Sequence, residues 1–260
     1  MPLRTRHPRS VAGSLAACLA GTALVLLAPT APTPAVAAPG IEPAKTVIGS
    51  RTLGRSVQGR PIRAYRLGEE KAGTRAVVLG SMHGNEKAGM AVVDSLRKGN
   101  PVHDIDLWVV PTINPDGVAA DDRHNARGVD LNRNFPHQWA PLTGNYYSGP
   151  KPLSEPESRA FARFLNQVKP QFVVSFHQPL YGVGRSGKGK ALQRRLSRGL
   201  GLPIRAFNCT GKCHGSMTSW FNHKHRGAAI TVEFGSSPGQ PYLRGRATRG
   251  TLRAVLGSRF

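Results

Sequence analysis

The chain is poor in acidic residues and in cysteine. Its 260 residues include 14 Asp and Glu against 36 Lys and Arg, which gives a formal net charge of +22. Three cysteines are too few for a disulfide-stapled miniprotein, and the 30 glycines follow no three-residue period, which excludes a collagen-like chain. Because 39% of the residues are hydrophobic, the chain can fill a core. Length and composition favour one ordinary globular domain of strongly basic character.

Long apolar runs are also scarce, and the longest lies near the start of the chain. This run, 11–28, follows three arginines and precedes a Pro/Ala-rich stretch with a small-x-small cleavage pattern at 35–37. The pattern predicts a secretory signal peptide over 1–37, a linker over 38–45 and a folded domain over 46–260. An uncleaved anchor and a lipoprotein modified at Cys18 are the alternatives. We expect export, no stable membrane span after processing, and an extracellular or wall-associated location.

The positive charge does not depend on the predicted signal peptide, since its removal takes away three arginines and no acid. A strongly basic protein attracts anionic partners. Nucleic acid is disfavoured, because aromatic residues are only 7% of the chain and offer few stacking platforms. Acidic lipid and an anionic cell-wall polymer are the other anionic partners, and the cell-wall polymer is the candidate that we carry forward. The alternative is an arginine-rich composition that only forms a solvated surface. We expect a monomer by default.

Two cysteines remain in the predicted domain, Cys209 and Cys213. In an oxidising compartment a disulfide that closes this small loop is the default. The alternative is a zinc site that also uses His214, His223 and His225. Export and the presence of a single cysteine pair favour the disulfide.

Short apolar runs alternate with helical patterns in the predicted domain. Six segments are typical of strands: 46–49, 61–68, 76–80, 106–111, 171–176 and 228–234. Helices are expected over 86–98 and around 245–256. Ser154, followed three residues later by Glu157, predicts a capping box that opens a further helix. This alternation indicates one α/β domain with a largely parallel sheet that helices cover on both faces.

Metal-ligating and acidic side chains follow three of the apolar runs. His83 and Glu86 follow the run 76–80, His177 ends the run 171–176, and Glu233 lies near the end of 228–234. A His and a Glu three residues apart can bind one metal, and three ligands with an open fourth position is the arrangement of a catalytic zinc. A carboxylate beside such a site can accept the proton of water. Each residue alone also fits a structural role, such as a helix start, a core histidine or an edge-strand glutamate.

An Arg/Asn-rich segment over 114–136 is the most specific cluster. It contains Arg123, Asn132 and Arg133, and an Arg beside an Asn offers forked donors suited to a carboxylate. An Arg can also stabilise a developing oxyanion. Asp130 can orient a ligating histidine. A loop braced by arginine hydrogen bonds is the alternative for this cluster taken alone.

Taken together and in this order, these segments resemble the zinc carboxypeptidase family over roughly residues 46–256. Within that family they are most similar to the murein peptide amidase branch, which cuts the γ-D-glutamyl–diaminopimelate bond. The resemblance is carried by five segments: 83–86, 128–136, 176–180, 215–222 and 231–235. It implies a mixed, largely parallel eight-stranded sheet between helices, with one zinc ion at the carboxyl ends of the strands.

The resemblance also implies residue roles. It implies that His83, Glu86 and His177 are the zinc ligands and that Glu233 is the general base and acid.

It further implies that Arg123 stabilises the oxyanion, that Asn132 and Arg133 bind the free carboxylate next to the cut, and that Asp130 orients the first ligand. Many family members carry a substrate-capping Tyr between the third ligand and the catalytic Glu. The only Tyr in that interval is Tyr181, which lies too close to the third ligand to swing over the substrate, so this role stays unassigned.

The expected activity is hydrolysis of an amide next to a free carboxylate in a peptide or muropeptide. The alternatives are a general metallocarboxypeptidase acting on C-termini, an acyl-amino-acid deacylase of related fold, and a non-catalytic wall-binding module. The presence of the complete set of candidate residues argues against the binding-only alternative.

Overall fold

The structure, a computed structural model, describes residues 46–208 and 211–258. The predicted signal peptide and linker lie outside the described residues, as does Cys209 of the cysteine pair. In the part of the chain that is described, no helix combines the length and the hydropathy needed to cross a membrane.

Eight strands form one sheet. Their bounds are β1 Val47–Arg55, β2 Pro61–Gly68, β3 Arg75–Leu79, β4 Asp106–Val110, β5 Phe172–His177, β6 Gly182–Gly184, β7 Ile204–Arg205 and β8 Ala228–Glu233. The spatial order is β1-β2-β4-β3-β5-β8-β6-β7. Four inner strands, β4, β3, β5 and β8, run parallel to one another, whereas β2 and β6 pair antiparallel on either side of them. The mixed eight-stranded sheet expected from the resemblance is confirmed.

Helices lie on both faces of the sheet. Their bounds are α1 Ala88–Lys98, α2 Pro115–Ala120, α3 Pro156–Val168, α4 Lys190–Leu200, α5 Met217–Lys224, α6 Gln240–Tyr242 and α7 Thr248–Ala254. A π-helical turn, Leu243–Ala247, joins α6 to α7. One core cluster holds Leu96 of α1, Leu196 of α4 and Leu252 of α7. The other holds Phe161 of α3 and Phe221 of α5. Because both faces are covered, the inner strands are almost continuously apolar.

The start of α3 differs from the sequence expectation. The residue that precedes the helix is Glu155, and no side chain caps the helix start. Ser154 instead donates to the Glu155 carboxylate at 2.8 Å and accepts from the amide of Asn134 at 2.9 Å. Glu157 accepts from the backbone N–H of Val57 at 2.9 Å. The predicted capping box is wrong, because partners distant in sequence take both side chains that would have formed it.

Close packing of α1 on the sheet gives a stability prediction. A Cβ at Gly89 would lie 2.3 Å from Cβ of Phe176 and 2.2 Å from the carbonyl oxygen of Gly80. Gly89→Ala should therefore lower the free energy of unfolding by about 1–3 kcal/mol, despite the better helix propensity of alanine. Urea denaturation measures this as a lower midpoint. Gly73→Ala, where nothing lies within 4 Å of the added carbon, is the matched control. Equal stability of the two variants would contradict the packing argument.

Candidate metal centre and active-site cleft

The candidate site lies where the four parallel strands end. β3 leads into the segment with His83 and Glu86, β5 ends at His177, and β8 ends at Glu233. His177 and Glu233 are register partners across β5 and β8. β4 leads into the Arg/Asn-rich segment. Because the carboxyl ends of neighbouring parallel strands lie at one edge, residues up to 150 positions apart meet there.

Three side chains converge as a candidate metal centre. The Nδ1 atom of His83 lies 2.9 Å from Glu86 Oε1, and the Nδ1 atom of His177 lies 3.1 Å from Glu86 Oε2. The two Nδ1 atoms are 3.3 Å apart. All three residues are buried, and theirs is the one group of potential ligands within 4.8 Å of one another that the described residues form.

The donor chemistry of this group fits zinc. The other ring nitrogen of His83 lies 3.0 Å from Asp130 Oδ1, and that of His177 lies 3.0 Å from Ser175 Oγ. Because a carboxylate only accepts, Nε2 of His83 carries the proton and Nδ1 keeps a lone pair for a metal. Ligand atoms about 2.1 Å from a tetrahedral zinc are about 3.4 Å apart, close to the observed spacing.

Asp130 links the metal centre to the arginine-rich segment. It is fully buried, and its carboxylate contacts His83 and, at 2.8 Å, Nη2 of Arg123. Burial alone would raise the pKa of the Asp130 carboxyl, but the contacts with His83 and Arg123 hold this pKa far below its usual range. Arg123 also reaches Glu86 Oε1 at 3.2 Å. The carboxylate is thus ionised and orients both neighbours.

Asn132 and Arg133 lie on a one-turn 3₁₀ helix, Leu131–Arg133, which Asp130 caps by accepting from the Asn132 N–H at 2.9 Å. Oδ1 of Asn132 accepts from the Met217 N–H at 3.0 Å, which leaves its amide nitrogen for a ligand. Arg133 is buried, and its Nε has no hydrogen-bond partner in the described structure. A buried guanidinium with a free donor suits an anionic ligand.

Glu233 lies beside the metal centre, and few groups of the described residues hydrogen-bond to its carboxylate. Its Oε2 accepts from the Leu180 N–H at 3.3 Å. Burial raises the pKa of the Glu233 carboxyl; the charge of His177 opposes this rise and that of Glu86 adds to it. A carboxylate with a raised pKa is suited to accepting and returning a proton.

One cleft of about 690 Å³ joins these groups. Seven residues that the sequence singled out line it: His83, Glu86, Arg123, Asn132, Arg133, His177 and Glu233. Asp130 lies behind them against the first ligand. The structure therefore brings together all eight candidate residues of the metal and substrate site.

The structure adds Tyr146, a residue that the sequence reasoning missed. Its ring lines the cleft and lies 5.0 Å from the guanidinium of Arg133, 5.7 Å from that of Arg123 and 5.5 Å from Nζ of Lys212. These are cation–π contacts that hold the two arginines. Tyr181 is half exposed and is not part of the cleft lining.

Gln178 is a second missed residue, and it ties the ligand segments together. Its backbone N–H donates to Glu86 Oε2 at 3.2 Å and its side-chain oxygen accepts from the Ala88 N–H at 2.9 Å. Its amide nitrogen donates to the carbonyl oxygens of Gly235 and Ser236. The segments after β3, β5 and β8 are thus joined by one side chain. Its position directly after the third ligand was the available sequence signal.

The histidines of the alternative zinc site have other partners. His223 stacks on His137 with ring centroids 4.0 Å apart, and His225 stacks on Phe221 at 4.5 Å. Nδ1 of His214 lies 3.1 Å from the carbonyl oxygen of Gln138. The described members of that set form no metal-binding group. Since Cys209 lies outside the described residues, its disulfide with Cys213 stays a prediction.

An open α/β sheet with a His/Glu/His centre and a carboxylate beside it defines a metallohydrolase of the zinc peptidase class. The family model described as zinc carboxypeptidase matches residues 45–179. The chain belongs to the zinc carboxypeptidase family and is a zinc metallopeptidase.

Curated relatives agree with this assignment. The chain is 31% identical over 209 residues to murein peptide amidase A of Vibrio campbellii, which covers 75% of this chain and 83% of the relative. It is 30% identical over 196 residues to murein peptide amidase A of Escherichia coli K12, covering 66% and 76%. The human carboxypeptidase N catalytic chain is 31% identical over 165 residues, covering 48% and 36%.

Solved structures share the fold. The murein-tripeptide amidase of Escherichia coli O157 matches with a TM-score of 0.67 and 26% identity, covering 84% of this chain and 96% of that one. A carboxypeptidase A from Helicoverpa armigera also reaches a TM-score of 0.67, at 16% identity, covering 81% and 68%. The second likeness shows the fold alone.

The contact between Asp130 and His83 gives a metal-affinity prediction. Asp130→Asn should weaken zinc binding by about 10–100-fold, because the first ligand loses the acceptor that orients its ring and raises its basicity. Zinc transfer to a competing chelator measures this affinity. Asp122→Asn is the matched control, since Asp122 lies in the same segment but contacts His124 at 2.9 Å outside the site. Unchanged zinc affinity in Asp130→Asn would refute the orienting contact.

Proposed function

We propose that this chain is an exported murein peptide amidase that hydrolyses the γ-D-glutamyl–diaminopimelate bond of peptidoglycan peptides. The observation that carries the proposal is the convergence of the metal centre, Glu233 and two arginines in one cleft. The identity of about 30% to murein peptide amidases over 75% and 66% of the chain supports the choice of bond. Export is supported by the predicted signal peptide over 1–37.

Glu233 is the residue that transfers the proton in this mechanism. His83, Glu86 and His177 would hold the zinc ion, which when bound would supply a Lewis acid and lower the pKa of water toward neutrality. Glu233 accepts the proton of the attacking water at a carboxylate oxygen and later donates it to the leaving amine nitrogen. Its burial favours the protonated form that the second step requires.

The two arginines bind negative charge at different points of the substrate. Arg123, held between Asp130 and Glu86, donates N–H groups to the scissile carbonyl as charge develops on its oxygen. Arg133 and the amide nitrogen of Asn132 bind the free carboxylate next to the cut. This pairing fixes the register, so that the bond one residue from the carboxylate lies beside Arg123 and Glu233.

The charge of the cleft suits an anionic peptide. Its lining includes four cationic side chains, Arg123, Arg133, Arg185 and Lys188, and the carboxylates Glu86 and Glu233. Glu86 would be neutralised as a metal ligand, and Glu233 takes part in proton transfer. A γ-D-glutamyl–diaminopimelate unit carries carboxylates on both sides of the scissile amide, so cations on more than one wall of the cleft match it.

The base assignment gives a kinetic prediction. Glu233→Gln should lower kcat by about 10²–10⁴-fold, since the neutral amide cannot accept a proton. Zinc content should remain near one ion per chain. His177→Ala is the contrasting variant, which should lose both zinc and activity. Metal analysis together with steady-state kinetics distinguishes the two variants. Substantial turnover by Glu233→Gln would show that Glu233 is not the general base.

The choice of substrate is tested by products. We expect the zinc-loaded protein to release diaminopimelate-containing products from defined muropeptides, as identified by mass spectrometry, and to lose this activity with a chelator. Simple peptides with free C-termini form the comparison arm, because the similarity to a carboxypeptidase N chain favours an exopeptidase as the second candidate. Faster release of C-terminal residues than of diaminopimelate-containing products would reject the amidase in favour of that candidate.

A further inference from the structure

The second half of the described chain carries a surface almost without acidic residues. From residue 158 to residue 258 the only Asp or Glu is Glu233, and it is buried in the cleft. Cations are frequent in the same stretch. Seven exposed ones lie on two neighbouring helical segments, and one of them, Arg244, pairs with Asp94 of α1 at 3.5 Å. The other six form the α4–α7 face: Lys190, Arg194, Arg198, Arg246, Arg249 and Arg253.

The α4–α7 face consists of two aligned stripes. On α4 the three cations are spaced by four residues, and on the π-helical turn and α7 they are spaced by three and four. Such spacing puts the members of each stripe on one side of their helix. At a rise of about 1.5 Å per residue, each stripe is about 10–12 Å long. The face therefore offers a row of charges rather than a single point.

Close contacts hold the two stripes together. A Cβ at Gly199 of α4 would lie 2.9 Å from Cα of Gly250 in α7, so the backbones approach as only glycine allows. Nε of Arg195 donates to the carbonyl oxygen of Ala254 at 2.6 Å, and the Tyr242 hydroxyl donates to the carbonyl oxygen of Leu200 at 2.9 Å. The relative position of the two helical segments is thus fixed before any ligand binds, which lowers the entropy lost on binding.

The charges of this face are not neutralised within the described chain. None of its six cations lies within ion-pair distance of a carboxylate among residues 46–208 and 211–258. Arg246 donates instead to the carbonyl oxygens of Gly199 and Arg198, at 3.3 and 3.4 Å. Burial, followed by the charge of Arg198, lowers the pKa of neighbouring Arg195. Like charges therefore crowd here without internal compensation, and an anionic partner would relieve the repulsion.

We propose that the α4–α7 face binds an anionic cell-wall polymer with repeated phosphodiester groups. Guanidinium groups match phosphate oxygens with paired donors, and a row of them matches a chain of phosphates better than a single ion. Neither α4 nor the segment 243–254 contains an aromatic residue, so the stacking platforms of single-stranded nucleic-acid binders are missing from these helices.

One end of the α4–α7 face lies close in the chain to the lining of the catalytic cleft. Lys188, which lines the cleft, lies two residues before the start of α4. A polymer on the face would therefore reach the cleft rim and keep the enzyme close to wall peptides. The choice of a wall polymer rests on the proposed export and wall substrate, whereas the binding surface itself rests on the charges alone.

The test uses purified poly(glycerol phosphate) chains immobilised on a sensor and the zinc-loaded protein. The variant Arg194→Gln/Arg198→Gln/Arg249→Gln removes three charges from the face. The control Arg51→Gln/Arg55→Gln/Arg63→Gln removes three exposed charges from β1 and β2. By analogy with phosphate contacts in nucleic acids, the face variant should bind about tenfold more weakly, and its slope of log affinity against log salt should fall by about two. The control should keep the wild-type slope.

Each outcome decides the matter. Equal losses of affinity in the two triple variants would overturn the proposal, because net charge alone would then explain binding. No polymer binding by the wild-type protein would also overturn it, because the face would then have no such ligand. Tighter binding to duplex DNA than to poly(glycerol phosphate) would overturn the choice of partner. Hydrolysis of a soluble muropeptide is measured in parallel and should be equal in all three proteins. If the wild-type protein does not hydrolyse the muropeptide, the proposed amidase activity is refuted. The polymer-binding measurement still tests the α4–α7 face, because it does not depend on hydrolysis.

Discussion

The parallel pairing of β4, β3, β5 and β8 is the constraint on which the site depends. Adjacent parallel strands end at one edge, and the register that pairs His177 with Glu233 places a candidate metal ligand next to the candidate base. β3 lies between β4 and β5, so the segment with the other two ligands enters between the arginine-rich segment and the third ligand. A shift of one residue would turn these side chains to the other face of the sheet. The apolar residues that bury the strands therefore also set the geometry of the site.

The distribution of acidic residues connects the site with the surface. Seven of the 13 acidic residues in the described part of the chain are buried, and they are Glu86, Asp106, Asp116, Asp130, Glu155, Glu157 and Glu233. Most of them contact arginine, histidine or asparagine side chains, as buried carboxylates require. Because the interior uses so many of the few acids, the surface retains most of the positive charge. The burial of acids in and around the site therefore contributes to the basic exterior.

Local sequence rules failed where distant partners were stronger. The predicted capping box at Ser154 and Glu157 did not form, since Asn134 and the backbone of Val57 bind those side chains. Tyr146 carried no signal as a site residue, because its role depends on lying over Arg123 and Arg133 after the chain has folded back. Gln178 contacts three segments at once, which no spacing along the chain reveals.

Six of the eight strands, their apolar character and the residue types of the metal centre could be predicted from the sequence, whereas the short strands β6 and β7 and the helix α4 were not. Periodicity identifies buried strands, and His, Glu and Arg next to their ends restrict the chemistry to a few kinds of site. The order of the strands, the separation of about 3 Å between ligand atoms and the alignment of the α4–α7 face came only from the tertiary structure. These features depend on contacts between residues far apart in the chain. Short-range patterns carry no information about which of the many possible long-range pairings has the lowest free energy.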